Sequence, residues 1–305
     1  MPNLLHPHNG HTNVITADGL LTDEALQERS ENKEFRYNSF DFIITNPPFG
    51  SSIKLNERAY LRNYDFGNKD VSWLDTKNTS VKERANQSTE ILFIEQCWRF
   101  LKTNRYLAIV IPDGILTNSS LQYVRNNIEE WFRIVAVVSM PQTAFAHTGA
   151  GVKSSVLFLR KWDSEITEKY QTLKKELQEE IKIKNNFLNI VDQIEKEKRK
   201  TIKEHIDFEN LTGETDRKKI EKSDEFQEWK KKISETFNQK INDLKDELED
   251  QYQTLKQEKL DDYQIFMAIA EDIGYDATGK PTGNNELEVI KNELIQFITH
   301  IEQQV

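Results

Sequence analysis

The spacing of apolar residues changes near residue 162, and this change restricts the folds that the chain can adopt. Before it, short runs rich in β-branched residues recur, and several are apolar on both faces. Such strands are typical of parallel sheets covered by helices, and the segment TEILFIEQCWRFLKT between two runs predicts a crossover helix. The first part of the chain therefore predicts an α/β sheet, with strands at 13–17, 40–46, 106–112, 134–141 and 154–161.

The last two of these runs are joined by QTAFAHTGAGVK, which lacks helical periodicity. Parallel strands need a longer crossover, usually a helix, so we expect this pair to be antiparallel. Gly149 and Gly151 in the same connection precede a strand instead of linking a strand to a helix. They therefore do not predict a dinucleotide-binding loop.

After residue 162 apolar residues recur at steps of three and four in two rows. The rows are Ile166, Tyr170, Leu173, Leu177 and Ile181, then Ile233, Phe237, Ile241, Leu244, Leu248, Tyr252 and Leu255. Each row predicts a helix with one apolar seam, and the turn signals in DFENLTGETD favour an antiparallel, coiled-coil arm over 163–262. This arm holds 27 acidic and 21 basic residues. Such a mixture indicates either a solvated surface or a partner-binding arm.

The sequence thus divides into an α/β domain at 1–162, the arm at 163–262 and a tail at 263–305. The tail predicts helix, glycine-rich loop and helix, and Gly274 fits a helix C-cap.

Cys97 is the only cysteine, so no internal disulfide can form, and its apolar surroundings predict a core position. No segment approaches the roughly 20 apolar residues of a membrane helix, and we expect a cytoplasmic protein without a membrane partner.

The net charge of −10 excludes a uniformly basic nucleic-acid-binding protein but leaves a local basic face open. A more specific signal is DFIITNPPFG at 41–50, where an amide, two prolines and an aromatic ring follow a strand. In open α/β sheets ligands bind beyond the carboxyl ends of strands. Two prolines fix the path of such a turn and remove backbone donors, which leaves a rigid loop rich in acceptors.

The side-chain oxygen of Asn46 and the carbonyl of Pro47 can accept hydrogen bonds from an exocyclic amino group, while Phe49 stacks on the attached ring. Two such bonds reduce conjugation of the nitrogen with its ring and orient its lone pair. The turn therefore predicts methyl transfer from a sulfonium donor to an amino group on a planar base. The alternative is a stiff turn without a catalytic role.

At this point the sequence resembles the amino-group DNA methyltransferases, and most closely the modification (M) subunits of type I restriction-modification systems. DFIITNPPFG matches the catalytic motif of the family, and NLLHPHNG with ITADGL resembles the helix and strand ahead of it. Further similar segments are YLAIVIPDGIL, VVSMPQTAFAHTGAGVKSSVLFLRK and IFMAIAEDIGYDATGKPTGNNELEVI. Together these segments span most of the chain outside the arm.

The resemblance implies that Asn46, Pro47, Pro48 and Phe49 hold the N6 amino group of an adenine flipped from double-stranded DNA. It also implies that Asp18 binds the adenine moiety of S-adenosyl-L-methionine, with Asn46 next to the same cofactor. The alternative for Asp18 is a turn or helix-capping residue. The expected partners are the specificity and restriction subunits of a type I system.

Other candidates carry weaker signals. Asp113 also follows a strand, but IPDGIL favours a turn residue. His6, His8 and His11 lack a cysteine or acid to complete a metal site, so no metal is expected. The segment 56–86 predicts either a mobile loop near the substrate or an ordinary surface excursion.

The sequence departs from the family pattern ahead of Asp18. Family members have a glycine-rich cofactor loop and an N-terminal helical domain there, whereas only 17 residues precede this aspartate. We therefore expect a partial Rossmann-like methyltransferase sheet whose first strands are absent, followed by the helical pair and tail. The gap would be filled by a second chain carrying the missing half, or the chain is a defective remnant. Alternative functions are a catalytically silent module that docks on the specificity subunit, and a protein-glutamine methyltransferase.

Overall fold

The computed structural model describes residues 15–30, 32–54, 59–69, 71–76, 82–146, 151–204, 208–209, 212–213, 216–260 and 262–303. The chain divides into two compact units. The first comprises Met1–Val71, Ser80–Lys169 and Tyr263–Val305, and the second comprises Ser72–Thr79 and Tyr170–Asp262. The candidate histidines at 6, 8 and 11 and the glycine at 149 lie outside the described residues.

The strands of the first unit are β1 (Phe40–Thr45), β2 (Ser52–Lys54), β3 (Asn68–Lys69), β4 (Lys82–Glu83), β5 (Asn86–Ser88), β6 (Leu101–Pro112), β7 (Phe132–Ser139), β8 (Ser154–Lys161), β9 (Phe266–Ile269), β10 (Ile273–Tyr275) and β11 (Pro281–Asn285). Its helices are α1 (Asp23–Ser30), α2 (Thr89–Phe100), α3 (Asp113–Thr117), α4 (Gln122–Trp131) and, near the C-terminus, α9 (Leu287–Glu302). The helix α5 (Ser164–Lys184) begins in this unit and continues into the second.

Five strands form the main sheet in the order β1-β6-β8-β7-β9. β1 is parallel to β6, and β7 is parallel to β9. β8 is antiparallel to both of its neighbours, with Val156 opposite Val110 on one side and Val138 on the other. The predicted α/β class and the predicted antiparallel pairing of β7 with β8 are therefore confirmed.

Both faces of the central strand β8 are covered, which explains why this strand is apolar on both sides. Leu157 and Leu159 of β8 pack in a core with residues of α2 and α4, whereas Val156 and Phe158 pack against residues of α9. Cys97 of α2 belongs to the first core and is buried, as predicted. The predicted crossover helix is confirmed as α2.

Two predictions for the first unit are wrong. Of the strand predicted at 13–17, residues 15–17 have no regular structure and 13–14 lie outside the described residues; β1 is an edge strand of the described sheet. The first half of the tail is not a helix, because Phe266–Ile269 pairs with β7 and the following residues form the β10–β11 hairpin. Gly274 lies in this hairpin at φ 95° and is not a helix C-cap. Only the last predicted helix of the tail forms, as α9.

The second unit contains the rest of α5 with α6 (Phe187–Glu204), α7 (Arg217–Ile220) and the 36-residue α8 (Asp224–Lys259). α8 runs antiparallel to α6, because Asn185 just before α6 bonds to Gln251 while Lys198 bonds to Asn238. The first predicted helix is therefore two helices, separated at Asn186 with φ 49°. Asparagine tolerates this left-handed conformation better than most residues do.

The two rows of apolar residues predicted for the arm meet in one cluster. It contains Leu177, Ile181, Phe187, Val191, Ile241, Leu248 and Tyr252. In the part of the chain that the structure describes, no helix is long and apolar enough to span a bilayer. The predicted turn at 207–216 lies partly outside the described residues.

Candidate active site at the end of strand β1

Asn46 directly follows β1 at the carboxyl end of the sheet. Thr45 is in register with Ile109 of the parallel strand β6, so the turn lies next to the end of β6. The Asn46 side chain is exposed, Pro47 is buried and Pro48 is exposed. Because Pro47 is anchored, the exposed Asn46 is presented from a fixed backbone.

The first residue of α2 holds the turn from the other side. The Thr89 hydroxyl donates a hydrogen bond to the carbonyl oxygen of Pro48 at 2.9 Å, and the Thr89 N–H donates to the carbonyl oxygen of Ser51 at 3.0 Å. Between these two carbonyls Gly50 adopts φ 73°, a conformation in which side chains are disfavoured. The chain is therefore fixed at both ends of this glycine.

These contacts determine which acceptors stay available to a ligand. The Pro48 carbonyl accepts from Thr89, whereas the Asn46 amide and the Pro47 carbonyl accept no hydrogen bond from any described residue. The two oxygens that the sequence predicted as acceptors for an amino group are thus the available ones. Whether they act in this way remains a prediction.

Phe49 is half-buried and contacts a second aromatic ring. Its ring lies edge-on to that of Phe145, with centroids 6.3 Å apart. Phe145 comes from the loop after β7, and this loop is held by a hydrogen bond from the Tyr275 hydroxyl to the Ala144 carbonyl oxygen at 3.2 Å. Phe145 was not among the residues predicted from the sequence, because an aromatic residue between small residues carries no local signal for its partner.

Asp113 lies at the end of β6 but is occupied by structural contacts. Its carboxylate accepts a hydrogen bond from the Ser155 hydroxyl at 2.7 Å, and its N–H donates to the Lys153 carbonyl oxygen at 2.9 Å. The Lys153 ammonium in turn donates to the Ser139 hydroxyl and to the Met140 carbonyl oxygen. These contacts tie the ends of β6, β7 and β8 together and agree with a turn role for Asp113.

Asp18 is half-buried, and its carboxylate accepts the N–H of Leu20 at 3.1 Å within a tight turn. This turn is attached to α2, since the Gln96 amide donates to the carbonyl oxygens of Gly19 and Leu21 at 2.9 and 2.7 Å. The geometry agrees with the turn-residue interpretation. It does not test the predicted contact with a cofactor.

The neighbours of Asp18 and of Asn46 border the same cavity. Ala17 and Gly19 line it on one side, and Ile44 and Thr45 line it on the other, in a volume of about 420 Å³. The structure therefore brings these two predicted segments together.

The polarity of the residues that line this cavity shows whether the described residues fit S-adenosylmethionine. Among the described residues that line it, Thr45 carries a hydroxyl, Cys97 a thiol and Gln96 an amide that already donates to two carbonyls, while the others are apolar. The remaining lining side chains suit the face of a base but not a charged amino-acid moiety. The described residues therefore do not complete a pocket for this cofactor.

Among the described residues, no strand pairs with the outer edge of β1 beside this cavity. Phe42 and Ile44 keep 50% and 77% of their surface accessible. Such exposure is unusual for large apolar residues in the middle of a strand, which normally pack against neighbouring elements. This edge lies where the sequence analysis expected a gap in the sheet.

Comparison with solved structures found chains that resemble parts of this one. A protein of Listeria monocytogenes described as a class I S-adenosylmethionine-dependent methyltransferase has 22% identity and a TM-score of 0.31, over 41% of this chain and 32% of its own. A chain from a type I R-M system has 26% identity and a TM-score of 0.30, over 40% and 21%. A type I modification subunit of Vibrio vulnificus YJ016 has 22% identity and a TM-score of 0.30, over 40% and 22%.

The matched region thus spans between a fifth and a third of each of these chains. No curated protein matches. The family model for N-6 DNA Methylase matches residues 1–264, which include the Asn46 turn, the sheet up to β8 and the arm. S-adenosylmethionine is the methyl donor of this family. With most of its length matched, the chain belongs to the N-6 DNA Methylase family, the DNA adenine methyltransferases.

Proposed function

We propose that the chain provides the adenine-binding part of a site-specific DNA N6-adenine methyltransferase in a type I restriction-modification system. The observation that supports this most directly is the Asn46 turn, where two oxygen acceptors are presented by a backbone that Thr89 and Pro47 hold in place. A preorganised pair of acceptors favours one orientation of an amino group without reorganisation during the reaction.

In this proposal the N6 amino group of a flipped adenine donates one hydrogen bond to the Asn46 side-chain oxygen and one to the Pro47 carbonyl oxygen. The nitrogen becomes more tetrahedral, and its lone pair turns away from the ring. Phe49 stacks on the adenine, and the edge-on Phe145 limits rotation of the Phe49 ring. A base inside a duplex cannot reach such a turn, so the substrate has to leave the helix.

We also propose that additional polypeptide, from a second chain in the simplest case, pairs with the free edge of β1. Support comes from the exposed Phe42 and Ile44 and from the apolar cavity beside them. An exposed strand edge is a template for pairing with another strand. The added part would supply the polar groups for the donor that the described lining lacks, with Asp18 next to the adenine moiety.

The specificity subunit, which would read the DNA sequence, is proposed to dock on the helical arm, and the restriction subunit would join the same complex. The arm offers a long surface of mixed charge, with ion pairs such as Lys196–Asp192 at 2.6 Å and Lys232–Glu228 at 3.1 Å. Surfaces of this kind select partners through the pattern of their charges.

The Asn46→Ala variant tests the catalytic role. In the complemented complex we expect methylation of duplex DNA to fall by at least about 100-fold, as on removal of a preorganised polar contact. Binding of the methyl donor should change much less. Asn46→Asp, which keeps the acceptor oxygen, should retain more activity than Asn46→Ala. Near-normal turnover by Asn46→Ala would show that the turn is only structural.

A further inference from the structure

The chain between the Asn46 turn and α2 leaves the sheet and returns to it as an excursion, residues 51–88. Its two ends pair as β2 and β5, with Ser52 opposite Ser88 and Ile53 opposite Gln87. Ser88 is followed directly by Thr89, whose hydroxyl bonds to the Pro48 carbonyl. The paired strands β2 and β5 form the neck of the excursion. β2 follows the candidate catalytic turn along the chain, and β5 leads into Thr89, which bonds to that turn.

The inner part of the excursion is anchored in the first unit by a buried carboxylate. Glu95 of α2 is fully buried and accepts the N–H groups of Asp65 and Phe66, each at 2.9 Å. Burial raises the pKa of this carboxyl group, although its ion pair with Arg99 acts in the opposite direction. The excursion is therefore not a loose surface loop at this point.

The middle of the excursion belongs to the other compact unit, and its residues Trp73, Leu74 and Asp75 contact the arm. Leu74 keeps only 1% of its surface accessible and joins the apolar cluster of the arm helices. The Trp73 indole N–H donates to the Glu249 carboxylate at 2.7 Å, and its ring lies 5.8 Å from that of Tyr252. A buried leucine and a tryptophan with its N–H satisfied are strong anchors.

An ion pair adds to this contact. Asp75 accepts from the Lys245 ammonium at 2.6 Å, and the Lys245 side chain is about one quarter and the Asp75 side chain about one third exposed. A partly exposed pair of this kind contributes little by itself but favours one register of the segment on α8. The arm therefore holds the excursion by one buried side chain, one hydrogen bond, one aromatic contact and one charge pair.

From these contacts we infer that Trp73 and Leu74 are positioning residues, through which the arm orders the excursion and with it the Asn46 turn. The role of that turn in methylation rests on the proposed function. The contacts by which the arm holds Trp73 and Leu74 do not depend on it.

Hydrogen exchange of the full chain tests the inference without requiring activity. Trp73→Ala should accelerate exchange of the Ile53, Gln87 and Ser88 amides at the neck by about 10-fold or more. The matched control is Trp229→Ala, which removes a tryptophan of the same unit that packs on Phe208 and Phe226. The control should leave exchange at the neck unchanged. Unchanged exchange at the neck in Trp73→Ala would overturn the inference.

Reversal of the charges of Asp75 and Lys245 provides a second test, in which no core volume is lost. Asp75→Lys and Lys245→Asp should each accelerate amide hydrogen exchange at the neck. The double variant, which restores opposite charges, should return the exchange rate towards that of the wild type. Failure of the double variant to recover while circular dichroism shows an intact arm would contradict the role of this pair.

Activity of the complemented complex separates this inference from the proposed function. Trp73→Ala should lower kcat by about 10-fold, with a smaller change in KM for DNA, because the turn is less ordered when substrate is bound. If Asn46→Ala retains activity, the proposed function is wrong. Hydrogen exchange in Trp73→Ala still shows whether the arm anchors the excursion. If Asn46→Ala is inactive while Trp73→Ala has unchanged kcat and unchanged hydrogen exchange, the proposed function holds. Only the inference that Trp73 positions the turn is then wrong.

Discussion

The hydroxyl of Thr89 donates a hydrogen bond to the carbonyl oxygen of Pro48 at 2.9 Å and thereby joins α2 to the turn that follows β1. Thr89 is itself buried, so water cannot easily replace this bond. The bond has two effects: it fixes the turn, and it occupies the one carbonyl of the Pro-Pro pair that would otherwise compete with Pro47 for a ligand.

Thr89→Val removes this bond while keeping the shape of the side chain. Since a net hydrogen bond of this kind contributes about 1 kcal/mol, we expect methylation by the complemented complex to fall by roughly 5- to 10-fold. Thr89→Ser keeps the hydroxyl and should stay close to the wild type. Equal loss in both variants would mean that the methyl group of Thr89, and not its hydroxyl, holds the turn.

The chain alone should not bind S-adenosylmethionine with useful affinity, because the described cavity lining offers few polar groups for its charged part. We expect no saturable heat of binding in calorimetry up to about 1 mM, a level at which a site worth roughly 4 kcal/mol would be visible. Addition of polypeptide that pairs with β1 should restore binding. Micromolar binding by the chain alone would show that the pocket lies elsewhere.

Leu248 is the centre of the arm's core and keeps none of its surface accessible. Leu248→Ala should lower the free energy of unfolding of the arm by about 2–5 kcal/mol, measured by thermal loss of helical circular dichroism. Ile183→Ala is the control, because Ile183 of α5 is 71% exposed and should change stability by about 0.5 kcal/mol or less. The predicted effect of charge in the seam, as in Leu244→Glu, is of the same sign and should also weaken binding to the specificity subunit.

Burial raises the pKa of the Cys97 thiol to about 12. Since the thiolate is the reactive form, a disulfide reagent at pH 8 should leave the folded protein unmodified and should react fully after denaturation. The number of thiols titrated before and after addition of guanidinium checks this. Rapid reaction of the folded protein would mean that α2 detaches from the sheet in solution.

Lys161 is buried at the end of β8, where its ammonium donates to the Trp98 and Leu101 carbonyl oxygens and to the Asn38 side chain. Burial lowers its pKa to about 8 from the usual value of 10.5. The folded state therefore binds fewer protons than the unfolded state between these values, and this residue makes stability rise with pH in that window. The stability of the wild type relative to Lys161→Met should increase from pH 7.5 to pH 10.

Sequence reasoning succeeded where a local pattern and a packing requirement agree. The run SSVLFLRK became β8 with the predicted bounds, because its alternate residues pack on both faces of the sheet. The position of the Asn46 turn directly after a strand was also predicted, since the order of amide, proline and proline is typical of a stiff turn, whereas the acceptor role of its two oxygens stays a prediction.

It failed where distant residues decide. FMAI became β9 and not a helix, because pairing with β7 is available and short apolar runs are ambiguous by periodicity alone. Trp73 bonds to a residue 176 positions away, a contact that no local pattern contains. The break between α5 and α6 depends on one asparagine at positive φ, and similar asparagines occur in unbroken helices.

The insertion of the arm between β8 and β9 sets an order of events during synthesis. The sheet needs β9 to cover the outer edge of β7, but 104 residues separate Lys161 from Phe266. At typical translation rates these residues take on the order of 5 to 20 s to emerge. During that interval β7, and not β9, is the edge strand opposite β1, while the arm has time to fold independently. The arm thus delays closure of the unit into which it is inserted, and a chaperone bound to β7 would have seconds in which to act.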